Sequence, residues 1–104
     1  MSREYAEFAR LLGGHNGALT TISFSPRAKY LATAATDNRI CIWEVASRKL
    51  LCKYQGSSYA LCFAWVPSVE GHVLCGMLDG YVVSLALTPV CHSLTHSPLM
   101  THET

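Results

Sequence analysis

No lysine or arginine occurs from position 54 onward in this 104-residue chain. The acids there, Glu70, Asp79 and Glu103, leave that half at −3. Residues 27–53, by contrast, set Arg27, Lys29, Arg39, Arg48, Lys49 and Lys53 against Asp37 and Glu44, an excess of +4, and the first 26 residues balance. Long apolar runs are also missing. None approaches the roughly 18 residues of a membrane-spanning helix, and the opening MSREYAEFAR has no continuous hydrophobic region of a secretion signal, so no membrane association is expected. Charged residues make up only 14% while half the residues are hydrophobic, which excludes a chain disordered throughout. The expectation is a soluble, intracellular chain of about one small domain.

Paired cysteine motifs are absent too. The five cysteines, at 41, 52, 62, 75 and 91, contain no C-x-x-C, which is neither a zinc nor a thioredoxin pattern. Four sit in apolar stretches (RICIW, LLCKY, ALCFAW, HVLCGM), where a reduced thiol behaves as a small hydrophobe. A reducing compartment is expected from this usage.

What the chain does contain is a succession of short runs rich in β-branched and aromatic residues, each stopped by turn formers. LTTISF (19–24) stops at Ser25-Pro26, YLATAA (30–35) at Thr36-Asp37-Asn38, RICIW (39–43) before Glu44, and KLLCKY (49–54) before Gly56. Four such strands in succession predict an antiparallel meander. Further strands are predicted at 59–65, 72–76 and 81–87. The spacing repeats: Phe24 to Trp65 and Pro26 to Pro67 are 41 apart, while Asp37 to Asp79 and Trp43 to Leu85 are 42 apart. Self-similarity of this length marks units that must stack to bury both faces.

The order Gly14-His15, a strand ending Phe24-Ser25-Pro26, Leu31-Ala32-Thr33, Asp37-Asn38, then Ile40-Cys41-Ile42-Trp43-Glu44 resembles one complete WD repeat. The resemblance implies an all-β fold: an incomplete WD-repeat β-propeller of about two antiparallel four-stranded blades with a disordered C-terminal tail. It divides the chain into 1–13, the outer strand of a preceding blade or a short helix; 14–56, a WD repeat; 57–87, a degenerate WD repeat; and 88–104, the tail. It also implies a buried structural relay through His15, Asp37 and Trp43. The hydroxyl of that relay is expected two residues before Asp37, where Ala35 stands, so the Trp43 indole is expected to lose its buried acceptor at about 1–3 kcal/mol, and Ala35→Ser to restore roughly 1 kcal/mol. In the second unit Met77 and Leu85 occupy the hydroxyl and Trp positions.

Nothing in the chain resembles a phosphate-cradling loop, an H-E-x-x-H zinc site or a G-x-S-x-G nucleophile, so no enzyme, cofactor or metal is expected. His15 with Asp37 has the look of two triad members, but the relay accounts for both and no nucleophile stands beside them. His92 and His96 are four apart and would meet on a helix to share a metal, yet Pro89 and Pro98 flank them and no helical pattern supports it. Arg27 and Lys29 fall in the turn after the first strand, and Arg48 and Lys49 in the turn after the third. They are candidates for contacts with phosphate or an acidic partner, or simply solvated turn charges. Asn16, Thr36 and Asn38 fall at the opposite end, the face on which the family most often holds peptides.

The function expected is therefore a non-catalytic protein-interaction scaffold. The run Tyr59-Ala60-Leu61-Cys62-Phe63-Ala64-Trp65-Val66-Pro67, followed by Leu78-Asp79-Gly80, is similar to the last blade of the N-terminal propeller of the chromosome transmission fidelity or acidic nucleoplasmic DNA-binding protein family. That resemblance implies a nuclear replication-fork adaptor joining helicase to polymerase α, with replication factors as partners; a cytoplasmic location is the alternative. Other readings are DNA binding through the basic turns and a truncated product without independent function. Two blades cannot close a ring of typically 4–8. Missing blades are thus expected from another chain or a longer isoform.

Overall fold

The computed structural model describes residues 15–87 and the backbone of a further strand at 92–98. Eight strands follow one another: β1 (Leu19–Phe24), β2 (Tyr30–Ala35), β3 (Arg39–Glu44), β4 (Lys49–Gln55), β5 (Ala60–Trp65), β6 (His72–Met77), β7 (Tyr81–Ala86) and β8 (His92–Pro98). They form two four-stranded antiparallel sheets, β1-β2-β3-β4 and β5-β6-β7-β8, each strand paired with its sequence neighbour. The described residues contain no helix long and apolar enough to cross a membrane.

Local chemistry explains the hairpins. After β1, Pro26 offers no N–H to continue a ladder. Ser25 then closes the connection, its Oγ accepting the Tyr30 N–H at 2.9 Å, with Ala28 in the left-handed region at φ 58°. Between β2 and β3, the Asp37 Oδ1 accepts the Arg39 N–H at 3.0 Å and Asn38 takes φ 67°, a conformation Asn tolerates. Gly80, 42 residues later, takes φ 91° at the matching turn of the second sheet, after Asp79.

The repeat extends to the irregularities. The β1–β2 register shifts between Leu19 and Thr21, and the β5–β6 register between Ala60 and Cys62. The β3–β4 register shifts between Ile42 and Trp43, and the β7–β8 register between Ser84 and Leu85. Bulges bend and twist a strand locally, so both sheets are bent at the same places.

Alternation along the strands sends successive side chains to opposite faces. In the first sheet Ala32, Ala34, Ile40 and Ile42 face the second sheet, whose Val73, Cys75, Val83 and Leu85 meet them in one core. Burying each Ile, Leu or Val side chain there contributes about 1.5–3 kcal/mol. β5 packs against β1, and Thr20 Oγ1 donates to the Ala60 carbonyl across the seam at 2.8 Å. The opposite face of the first sheet carries a second cluster, Leu31, Cys41 and Trp43, with Phe24 and Val45 against it.

One expectation needs correction. Within 88–104, taken from its lack of periodicity as a disordered tail, His92–Pro98 is β8, paired with β7 from Tyr81↔Pro98 to Ala86↔His92. A strand with both faces apolar and one open edge supplies a row of backbone donors and acceptors, and a neighbouring segment free of charge can add to it without an apolar pattern of its own. The helix-or-strand alternative for the first dozen residues lies outside the described residues.

Candidate functional site

The first sheet is organised by a chain of hydrogen bonds at the turn between β2 and β3. The Trp43 Nε1–H donates to Thr33 Oγ1 at 3.0 Å, Thr33 Oγ1 lies 2.7 Å from His15 Nε2, and His15 Nδ1 lies 3.3 and 3.4 Å from the two Asp37 oxygens. The two ends set its direction. An indole only donates and a carboxylate only accepts. Thr33 Oγ1 therefore accepts from the indole and shares a hydrogen bond with His15 Nε2, with the Cys41 carbonyl as a further acceptor for its proton at 3.5 Å, and His15 Nδ1–H donates to Asp37. The carboxylate partner thus assigns a proton to Nδ1.

The side chains of His15 and Asp37 are only 6% and 10% exposed. Desolvation works to raise the Asp37 carboxyl. Backbone N–H groups of Asn16, at 2.7 Å, and of Arg39, together with His15, outweigh it, so the pKa lies below the ordinary 3.8. The site is thus a rigid strut tying the segment before β1 to the β2–β3 turn.

The hydroxyl expected at position 35 is corrected by this geometry. Trp43 pairs with Leu31. Thr33 is two residues along the same face of β2, about 7 Å by strand rise, while Ala35 is about 13 Å away, beyond the reach of the indole. The Trp43 donor is therefore satisfied by Thr33, and Ala35 is 0% exposed.

The second sheet keeps the turn and its tie to the segment before the first strand, but not the buried hydroxyl and indole. Cys75 stands where Thr33 does and Leu85 where Trp43 does, both buried. Asp79 accepts from Ser57 Oγ at 3.0 Å and from the Tyr81 N–H at 3.2 Å, and its backbone N–H donates to Ser58 Oγ. Desolvation is the largest single influence and acts upward, but these donors together hold Asp79 below the ordinary carboxylate value.

Two ends of the sheets are available for contact. Asn16 and Thr36 are exposed and Asn38 is half-buried, all at the end of the strut. Their polar groups are partly used: Asn16 N–H on Asp37, Thr36 Oγ1 on the Ala18 N–H at 3.1 Å, and the Asn38 carbonyl on the Gly56 N–H. At the opposite end, Arg27 and Lys29 lie in the β1–β2 connection, Arg48 in the β3–β4 connection and Lys49 at the start of β4. Lys29 Nζ is engaged, 3.7 Å from the Glu70 carboxylate of the second sheet and 5.5 Å from the Tyr30 ring centre. Tyr30 in turn stacks on Trp65 across the seam, with ring centres 6.2 Å apart and planes at 14°. Sequence reasoning missed this seam because a 41-residue offset shows which positions correspond, not which ones touch.

The remaining candidates resolve differently. On a strand, His92 and His96 are about 13 Å apart by rise per residue, so β8 separates the pair that a helix would have joined. No group of metal-ligating side chains occurs among the described residues. Burial pushes the Cys41 thiol up to about 11 and the Cys75 thiol up to about 12, which keeps both protonated as small hydrophobes. Cys62 is an exposed free thiol, whereas Cys52 is disulfide-bonded, so a reducing compartment no longer follows from the cysteines.

Comparison with known proteins agrees with the geometry. Residues 6–44 match the family described as WD domain, G-beta repeat. The chain is 37% identical over 76 residues to the 66 kDa stress protein of Physarum polycephalum, covering 69% of this chain and 12% of that protein. It is 28% identical over 95 residues to WD repeat-containing protein 90 of Mus musculus, covering 86% of this chain and 5% of that one. A Ribosome biogenesis protein BOP1 homolog of Arabidopsis thaliana is 35% identical over 54 residues, 52% of this chain and 7% of that protein. The chain therefore spans only a small fraction of these relatives. Among solved structures, U3-55K and the RRP9 WD40 repeats each superpose with a TM-score of 0.70 at 21% identity, over 81% of this chain and 27% of theirs, which shows a shared fold.

Proposed function

From a chain whose WD repeat, relatives and shared fold support membership of the WD40 repeat family, we propose a protein-interaction scaffold, with residues 14–56 as one WD repeat and the second sheet as a degenerate one. The observation that carries this is the strut. A buried chain of hydrogen bonds runs from Trp43 to Asp37; its one hydroxyl, Thr33 Oγ1, is 0% exposed and accepts from the Trp43 indole, so the chain holds the polar end of the first sheet in one geometry. Loops held by a rigid scaffold are what partner binding requires. On this reading Asn16, Thr36 and Asn38 form the partner-binding face, and other proteins are the partners.

The client remains a proposal of its own. A relative named for ribosome biogenesis favours a role in such an assembly, and with it a nuclear location, over the replication-fork adaptor that the Tyr59–Pro67 run suggests. A second reading, DNA binding, draws on Arg27, Lys29, Arg48 and Lys49 sharing one end. It is weakened by the engagement of Lys29 with Glu70.

Affinity purification from nuclear extract with the full chain tests both. Proteins are expected to be recovered by the unaltered chain and lost with Asn16→Ala/Thr36→Ala, while replacement of Arg48 and Lys49 by Ala leaves recovery unchanged. Recovery insensitive to the Asn16/Thr36 pair overturns the face assignment. Salt-sensitive DNA binding abolished by the basic substitutions establishes the second reading instead.

A further inference from the structure

A cleft of about 210 Å³ opens on the seam between the two sheets, at the end opposite the strut. Its walls come from the same connection in each unit: Pro26 and Arg27 after β1, and Pro67, Ser68 and Glu70 after β5, with the edge of Trp65 between them. The two prolines present rigid walls without N–H donors. Trp65 is held by its stack on Tyr30, and its indole Nε1–H is the one buried side-chain polar group without a hydrogen-bond partner among the described residues. A buried donor left unpaired is unfavourable, and such groups in native structures call for an acceptor.

Charge narrows the occupant. The Glu70 carboxylate is answered by Lys29 at 3.7 Å, which leaves the exposed Arg27 as the cation at the cleft without an ion pair among the described residues. A guanidinium matches a carboxylate in a planar, two-point arrangement. A single unpaired cation beside a carboxylate wall suits one negative charge and disfavours the doubly charged phosphates and multiple contacts on which nucleic-acid binding depends. The volume accepts one or two side chains, not a helix or a folded surface. We propose that this cleft captures an extended acidic peptide segment of a partner protein, one Asp or Glu carboxylate on Arg27 and an adjacent apolar side chain against Pro26, Pro67 and the Trp65 ring. This deepens the scaffold reading by naming a partner chemistry at a second surface.

The test is titration of the full ¹⁵N-labelled chain, followed through its two indole N–H resonances, with the peptide Leu-Asp-Leu-Asp-Leu capped at both ends. The Trp65 resonance is expected to move, while that of Trp43, hydrogen-bonded to Thr33 on the other face of the first sheet, stays still. Arg27→Gln is expected to weaken binding at least tenfold and Lys49→Gln less than twofold. Trp65→Phe, which keeps the stack and removes the N–H, is expected to weaken it several-fold by tryptophan-independent calorimetry. Four results overturn the proposal: no movement of the Trp65 resonance, equal binding by Arg27→Gln, equal binding of the peptide with Asn in place of Asp, or a stronger response to single-stranded oligodeoxythymidine. The scaffold reading fails separately, if extract proteins bind regardless of both the Asn16/Thr36 and the Arg27 substitutions.

Discussion

The two sheets share a strand order, a pair of register shifts and an Asp-led turn, yet their interiors are built on opposite principles. In the first, Trp43, Thr33, His15 and Asp37 form a buried polar chain in which every member has a partner. In the second, the corresponding strand positions carry Leu85 and Cys75, both buried, and the buried hydroxyl–indole half of the chain is gone, while Asp79 keeps a bond to Ser57. The difference teaches that the buried pair of such a network, indole and hydroxyl, is replaced together. Replacing both partners by apolar groups is close to neutral, whereas removing one strands the other in a low-dielectric interior. Asp79 survives in the second sheet because it still ties the turn to the segment before the first strand: it accepts from Ser57, which precedes β5, as well as from Tyr81 at the turn.

The largest effect is expected from breaking the chain at one end. Trp43→Leu imports the residue of the second sheet, leaves a cavity and removes the donor to Thr33, for a loss of about 3 kcal/mol in urea denaturation. Adding Thr33→Cys completes the imitation, and the pair is expected to cost at least about 1 kcal/mol less than the sum of the single substitutions. Additive losses in the double-mutant cycle show instead that the two residues act independently.

A smaller loss is expected from Ala35→Ser. With Trp43 already served by Thr33, an added hydroxyl at a fully buried position destabilises by about 1 kcal/mol. A gain in the denaturation midpoint shows instead that Trp43 is not served by Thr33.

The smallest effect is on acid stability. The folded pKa of Asp37 is depressed, so its contribution is complete above the ordinary value of 3.8 and is lost as pH falls through the lower folded value. Asp37→Asn is expected to be less stable than the unaltered chain near neutrality and to lose less on acidification. Asp79, also depressed, leaves a residual slope. Parallel thermal midpoints for both proteins from about pH 6 to about pH 2 separate the carboxylate from the strut.

Much of this was legible in the residues. Turn formers such as Ser25-Pro26 and Thr36-Asp37-Asn38 bound runs with strand composition, and the 41–42 residue offset placed the two units in register. His15, Asp37 and Trp43 could be named because the family pattern is carried by residue types that are rare and chemically specific. Thr33 escaped because a hydroxyl on a strand rich in small residues has no signal of its own: Thr33 and Ala35 share a face, and only the pairing of Trp43 with Leu31 decides which is in reach. β8 escaped because HSLTHSP carries polar residues throughout, and its place depends on the open edge of β7 rather than on its own pattern. The seam of Tyr30, Trp65, Lys29 and Glu70 depends on how the sheets stack, which no single strand encodes.

The most direct measurement compares one substitution in each sheet at the same register position, by urea denaturation of Thr33→Val and Cys75→Ala in the full chain. Thr33→Val preserves volume but strands the Trp43 indole and the His15 imidazole, at about 2–4 kcal/mol. Cys75→Ala removes one sulfur from an apolar contact, at about 1 kcal/mol. A loss for Thr33→Val clearly exceeding that for Cys75→Ala is the predicted result; equal losses, or a milder effect at Thr33, contradict a polar strut peculiar to the first sheet.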